Sequence, residues 1–167
     1  GLIRQLAVPS PPGLRALPGM AHDIAAGLPK RNADLGGPVP APWLDRACGL
    51  GRELASRPAG LLIHADLHYG NILAGDRLPW LAVDPRPVDG DPAFSIPELM
   101  WTRAGELSTD HDVHRLLATL AQAAEVDQEA AHGWTIVRCV DYWLWGLQHG
   151  LTIDPARCER VLTALLA

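Results

Sequence analysis

Apolar and polar positions divide this chain into a loosely patterned opening, a central group of short apolar runs and a long helical remainder. Residues 1 to 40 carry Pro9, Pro11, Pro12, Pro18, Pro29, Pro38 and Pro40, which interrupt any long element. Within them Leu14 to Leu28 can hold a helix that starts after Pro18, and Asn32 to Pro40 reads as a loop. From Ala41 to Ser56, Leu44, Ala47, Cys48 and Leu54 recur at amphipathic helical spacing despite Gly49 and Gly51. Three short runs come next, Leu61 to Ile63, Ile72 to Ala74 and Trp80 to Val83, bounded by Gly, Asp and Pro as strands are. The second and third are joined by about five residues around Gly75-Asp76, which predicts a β-hairpin. Val88 to Pro92 (VDGDP) predicts a turn.

Beyond it the periodicity is helical. Ser95-Ile96-Pro97-Glu98 has the spacing of a capping box, so a helix is expected to begin near Ser95. Val113, Leu116, Leu117, Leu120 and Ala124 form one stripe, and Ile136, Val137, Val140, Trp143, Leu144 and Leu147 form another. A last helix is expected from Asp154 as N-cap, with Pro155 at its first position, through Leu162, Leu165 and Leu166. A small hairpin framed by helices makes the fold class α+β, mostly helical.

Length and composition refine this only slightly. A chain of 167 residues fits a single domain, 1–167, with a proper core. No run approaches the ~18 apolar residues of a membrane span, and no secretory leader is visible, so a cytoplasmic protein is expected. A net charge of −5 argues against nucleic acid as a general partner and tolerates a cationic small molecule. Cys48, Cys139 and Cys158 sit in apolar helical patterns and read as buried, reduced thiols.

The chemistry concentrates in His64-Ala65-Asp66-Leu67-His68-Tyr69-Gly70-Asn71. This cluster feeds the predicted hairpin, and Asp84 stands where the hairpin's second strand leaves. Three oxygen-bearing side chains on neighbouring loop ends suit a hard cation and a proton acceptor. Taken singly, Asp66 and Asn71 are also ordinary turn residues. A rival reading uses the alternation of His64, Asp66 and His68. On a strand these would share one face as a metal trio, completed by Asp110-His111-Asp112-Val113-His114, in a zinc or manganese hydrolase. That scheme leaves Gly70-Asn71 without a purpose.

The ordered string His64-x-Asp66-x-His68-x-Gly70-Asn71-Ile72-Leu73, then Asp84-Pro85, then Gly90-Asp91-Pro92-Ala93-Phe94, resembles the aminoglycoside/hydroxyurea phosphotransferases. The resemblance implies the C-terminal lobe of a protein-kinase-like fold with a small catalytic-loop hairpin, using ATP and Mg²⁺. It implies Asp66 as proton acceptor, Asn71 and Asp84 as Mg²⁺ ligands, and His64 and His68 as supports of the catalytic loop. Glu98 and Trp101 are expected at the substrate, with Glu106, Asp110, Asp112, Asp141, Trp143 and Trp145 as further groups able to hold a cationic sugar. Two residues depart from the family pattern, Ala65 for a usual Gly and Ser95 for a usual Asp. Nothing resembles the family's N-terminal nucleotide lobe. Lys30, the only lysine, reads as a loop residue, and no P-loop is present. The expectation is an incomplete phosphotransferase that is inactive alone; the alternative is a non-catalytic binding module of the same fold.

Overall fold

Seven α-helices and four short β-strands carry these patterns in the computed structural model, which describes residues 1–167. In chain order they are α1 (Leu2–Leu6), α2 (Leu17–Asp34), α3 (Ala41–Leu54), β1 (Leu61–His64), β2 (Ile72–Ala74), β3 (Trp80–Ala82) and β4 (Pro87–Gly90). Then come α4 (Pro97–Thr102), α5 (Asp110–Ala124), α6 (Gln128–Gln148) and α7 (Ile153–Leu165). The fold is α+β and mostly helical, as the periodicity predicts.

Helix α6 is the axis of the core. Its expected stripe is buried apart from the half-buried Leu147, and Ala131, Trp134 and Thr135 are buried as well, because α2, α3, α4, α5 and α7 all pack against it. Its polar and aromatic face, Arg138, Asp141, Tyr142, Trp145 and His149, turns towards the loop after β1 at one end and towards solvent at the other. Cys48, Cys139 and Cys158 are buried and unbridged. No helix is long and apolar enough to cross a membrane.

The β2–β3 hairpin forms where the sequence puts it, with Ile72 opposite Ala82 and Ala74 opposite Trp80. The segment read as a turn at Val88 to Pro92 is instead largely strand. Its first part belongs to β4, which pairs antiparallel with β1, Leu61 opposite Gly90 and His64 opposite Pro87. Val88 fills the core, while Gly90 lies against Leu17 of α2. A Cβ at Gly90 would stand 2.4 Å from the Leu17 Cβ. Leu17 is itself buried and has little room to yield. Gly90→Ala is therefore expected to destabilise the fold by about 1–3 kcal/mol, the usual range for overpacking. The denaturant midpoint measures this, and an unchanged midpoint would mean that α2 shifts freely.

Three other boundaries differ from expectation. Helix α2 continues through Pro29 to Asp34, so Lys30 is helical and pairs with Asp34 at 2.6 Å. Its buried face, Leu17, Ala21, Ala25 and Leu28, outweighs the hydrogen bond that Pro29 forgoes. Asn32 then exchanges two hydrogen bonds with the Val39 backbone, at 3.0 and 3.1 Å, fixing the turn after the helix. Ser95 does not cap α4; Ile96 occupies that position without a side-chain bond. Asp91 caps the preceding 3₁₀ turn, accepting from the Ala93 N–H at 3.0 Å, and Ser95 Oγ donates to the His64 carbonyl at 3.1 Å. Finally, α7 begins at Ile153, one residue before Asp154, with Thr152 at the cap. Asp154 instead accepts from Arg157 Nη1 at 3.2 Å and Tyr142 Oη at 3.5 Å.

Candidate functional site

The strand β1 ends at His64, whose side chain shapes the loop beyond it. His64 Nε2 lies 3.1 Å from the Val83 carbonyl, and Nδ1 accepts the Asp66 backbone N–H at 3.2 Å. One donor and one acceptor on a buried ring thus join the end of β1, the loop and the chain leaving β3. The Ala65 N–H donates to the Arg86 carbonyl at 3.0 Å. Ala65 is not at positive φ, so replacing the family's glycine costs no backbone strain here. His68 Nδ1 accepts from the Gly70 N–H at 3.1 Å and starts the 3₁₀ turn Tyr69–Asn71.

Asn71 is buried at the mouth of the hairpin. Its Nδ2 donates to the Asp66 carbonyl at 2.9 Å, and its own carbonyl accepts from the Val83 N–H at 2.9 Å. The second bond extends the β2–β3 register by one step and brings Asp84 to the same mouth. Asp84 has φ of 49°, an uncommon backbone for a residue other than glycine, although Asp tolerates it better than most. Asn71 Oδ1 and the Asp84 carboxylate carry no hydrogen bond or ion pair to protein groups. Two oxygen donors without protein partners fit a magnesium ion, which keeps several waters and takes few protein ligands.

Asp66 stands at the wall shared by two cavities of about 270 and 450 Å³. Its Oδ2 pairs with Arg86 Nε at 3.0 Å. Glu98 lines both cavities beside it. Glu98 Oε1 accepts from Arg138 Nη2 at 3.1 Å, whereas Oε2 is buried with no partner. Burial pushes the Glu98 carboxyl up to about 7; Arg138 opposes the rise, and the negative charge of Asp66 adds to it. Arg138 also bonds Asp141, which Arg31 of α2 holds through both its carboxylate and its backbone carbonyl. A chain of charged groups therefore runs from α2 to the loop, Arg31, Asp141, Arg138, Glu98, Asp66, Arg86, in which the two carboxyls Glu98 and Asp66 are neighbours.

An aromatic ladder borders the cavities. Trp101 stacks on Tyr142 with centroids 4.8 Å apart, Tyr142 on Trp145 at 5.3 Å, and Trp145 on His149 at 4.1 Å. Trp101 is nearly all buried, with one edge on the smaller cavity. The sequence pattern did not point to Tyr142, Arg86, Arg138 or Arg157, and it placed Asp154 only as a helix N-cap. The signal for several of them lay in α6 itself. Arg138, Asp141, Tyr142, Trp145 and His149 recur at spacings of three and four, on the face opposite the apolar stripe.

Several other expected groups are elsewhere. Trp143 packs edge-on against Trp43 in the core. Glu106 pairs with Arg103, Asp110 with Arg160, and Asp112 closes a capping box with Thr109. The hydrolase site does not assemble. The strand ends at His64, both ring nitrogens there are engaged, and His114 Nε2 lies 3.0 Å from the Ala164 carbonyl. No group of three His, Cys, Asp or Glu side chains could hold a metal ion.

Residues 1–150 match the family described as aminoglycoside/hydroxyurea antibiotic resistance kinase. The chain is 39% identical over 171 aligned positions to the hydroxyurea phosphotransferase of Kitasatospora aureofaciens, covering 99% of this chain and 47% of that protein. It is 35% identical to the streptomycin 6-kinase of Streptomyces glaucescens, over 93% of this chain and 52% of the relative. The streptomycin 6-kinase of Streptomyces griseus is also 35% identical, over 94% and 53% respectively. The chain thus spans about half the length of these relatives. No solved structure matches.

Proposed function

The chain belongs to the aminoglycoside/hydroxyurea antibiotic resistance kinase family, and from that premise we propose that it supplies the catalytic loop of an ATP-dependent phosphotransferase. The acceptor in this reading is a hydroxyl group of a small, cationic molecule of the aminoglycoside type. The fold is then the C-terminal lobe of a kinase-like protein. One observation carries the reading: Asp66 borders both cavities while Asn71 ties its backbone to the hairpin mouth where Asp84 emerges. Asp66 accepts the hydroxyl proton. Asn71 and Asp84 hold Mg²⁺, which would neutralise charge on the nucleotide's phosphates. His64 and His68 keep the loop in shape. Glu98 and Asp154 give the substrate side carboxylates, which suit a cation, and Trp101 borders the same cavity.

The reading assigns much of nucleotide binding to a segment outside these residues. Lys30 is tied to Asp34 on α2, and no glycine-rich phosphate loop is present. The test is phosphoryl transfer by the full-length natural protein, given Mg²⁺, ATP and a panel containing streptomycin, other aminoglycosides and hydroxyurea. Mass spectrometry should find one compound carrying an added phosphate. The 167-residue chain alone should release no ADP above background under the same conditions. Binding of a panel member by the full-length protein without transfer would favour a non-catalytic binding module instead.

A further inference from the structure

Arg86 is the cation that contacts Asp66, and its placement goes beyond what a surface ion pair requires. Its backbone is fixed, because its carbonyl accepts the Ala65 N–H and β4 begins at the next residue. Its side chain is free by comparison, 73% exposed, while the Asp66 side chain it meets is 23% exposed. The other cations lining the two cavities are otherwise engaged. Arg138 is enclosed between Glu98 and Asp141, and Arg157 is paired with Asp154. Lys30 belongs to another part of the surface, in its own pair on α2. Arg86 also lies two residues after Asp84, the second proposed Mg²⁺ ligand.

The present pairing is poorly suited to the chemistry proposed for Asp66. While the Arg86 guanidinium occupies Oδ2, that oxygen is not available to a substrate hydroxyl. Exposed ion pairs of this kind contribute little to stability, so the contact breaks readily. A guanidinium released there has a better partner during transfer, since negative charge spreads over the equatorial oxygens of the moving phosphoryl group. Pre-organised donors on such charge are worth about 10²–10³-fold in rate.

Resting on the phosphotransferase reading above, we propose that Arg86 is a catalytic residue with two positions: it holds Asp66 at rest and turns onto the transferred phosphoryl group. In the step it serves, the substrate oxygen gives its proton to Asp66 and forms a bond to the γ-phosphorus of a nucleoside triphosphate. The bond from that phosphorus to the bridging oxygen breaks, and its electron pair leaves with the nucleoside diphosphate. Arg86 neutralises charge on the oxygens in transit and neither gains nor loses a proton.

The experiment compares wild type, Arg86→Ala and Arg86→Lys in the full-length natural protein. Arg86→Ala should lower turnover by about 10²–10³-fold, with KM for ATP changed little, and Arg86→Lys should recover part of the loss. A readout without turnover separates this role from mere positioning of Asp66. Calorimetry with Mg²⁺ and ADP, with and without aluminium fluoride as a mimic of the transferring phosphoryl group, measures the complex directly. Wild type should bind ADP far more tightly when the fluoride is present, and Arg86→Ala should lose that tightening while binding ADP alone as before. Wild-type turnover in Arg86→Ala overturns the proposal, and so does a slow variant that keeps the full tightening. If wild type itself transfers no phosphate, or Asp66→Ala is fully active, the phosphotransferase reading is what fails.

Discussion

Asp66→Ala in the full-length natural protein should lower turnover by about 10²–10⁴-fold, the range for loss of a general base. That corresponds to roughly 3–5 kcal/mol of transition-state stabilisation, at about 1.36 kcal/mol per decade. Nucleotide binding should change far less, because Asp66 is assigned to the acceptor hydroxyl rather than to the phosphates. The fold should survive the change. The Asp66 side chain is bonded to an exposed guanidinium, and its hydrogen bonds to His64 and Asn71 run through its backbone N–H and carbonyl, which alanine keeps. Asp66→Asn should be nearly as slow, since it retains the shape and loses the basic oxygen. A second consequence appears without substrate. Asp66 adds to the upward shift of the Glu98 carboxyl, so its removal should bring the Glu98 titration below about 7, visible in carboxyl carbon shifts. Full turnover in Asp66→Ala would remove this residue from the mechanism.

The loop of the candidate site was legible because its constraints are local. His64, Asp66 and Asn71 act on one another across two to five positions, and the Gly75-Asp76 hairpin fixes where Asp84 emerges. The β1–β4 pairing was missed for the opposite reason. Its partners are separated by the whole hairpin, and the turn residues in Val88-Asp89-Gly90 are explained by long-range contacts, Leu17 packing on Gly90 and the Gly60 N–H donating to Asp89 Oδ1 at 2.7 Å. Ser95 shows a similar limit. Its spacing to Glu98 fits a capping box, yet long-range partners claim both residues, the His64 carbonyl for Ser95 and Arg138 for Glu98. The charge chain from Arg31 to Arg86 lies beyond sequence reading, because it joins parts of the chain that are far apart in sequence. What could have been read was one face of α6, where polar and aromatic residues recur opposite an apolar stripe.

Arg138 is the member of that chain whose loss should most affect stability. Its side chain is 15% exposed and divides itself between Glu98 and Asp141. Arg138→Met keeps much of the apolar stem and removes the charge. Breaking a buried pair from one side typically costs about 3–5 kcal/mol, because the abandoned partner stays buried. Asp141 retains Arg31, so the burden falls on Glu98, whose Oε2 already lacks a partner. The penalty should therefore depend on pH, with a sign set by the raised Glu98 value of about 7. An acid bound more tightly to its proton in the folded state stabilises the fold fully below its unfolded value. That contribution declines as pH rises through the folded value. Near pH 6 Glu98 is largely neutral with or without Arg138, and the variant loses mainly hydrogen bonds. Near pH 8 the wild type holds an ionised Glu98 against Arg138, whereas the variant must bury a lone carboxylate or take up a proton against the solution. The difference in unfolding free energy between wild type and Arg138→Met should thus be larger at pH 8 than at pH 6. Denaturant titrations at both values measure it. Equal differences at the two values would mean that Glu98 does not titrate between them, and that the link between Asp66 and the buried charges of α6 is structural only.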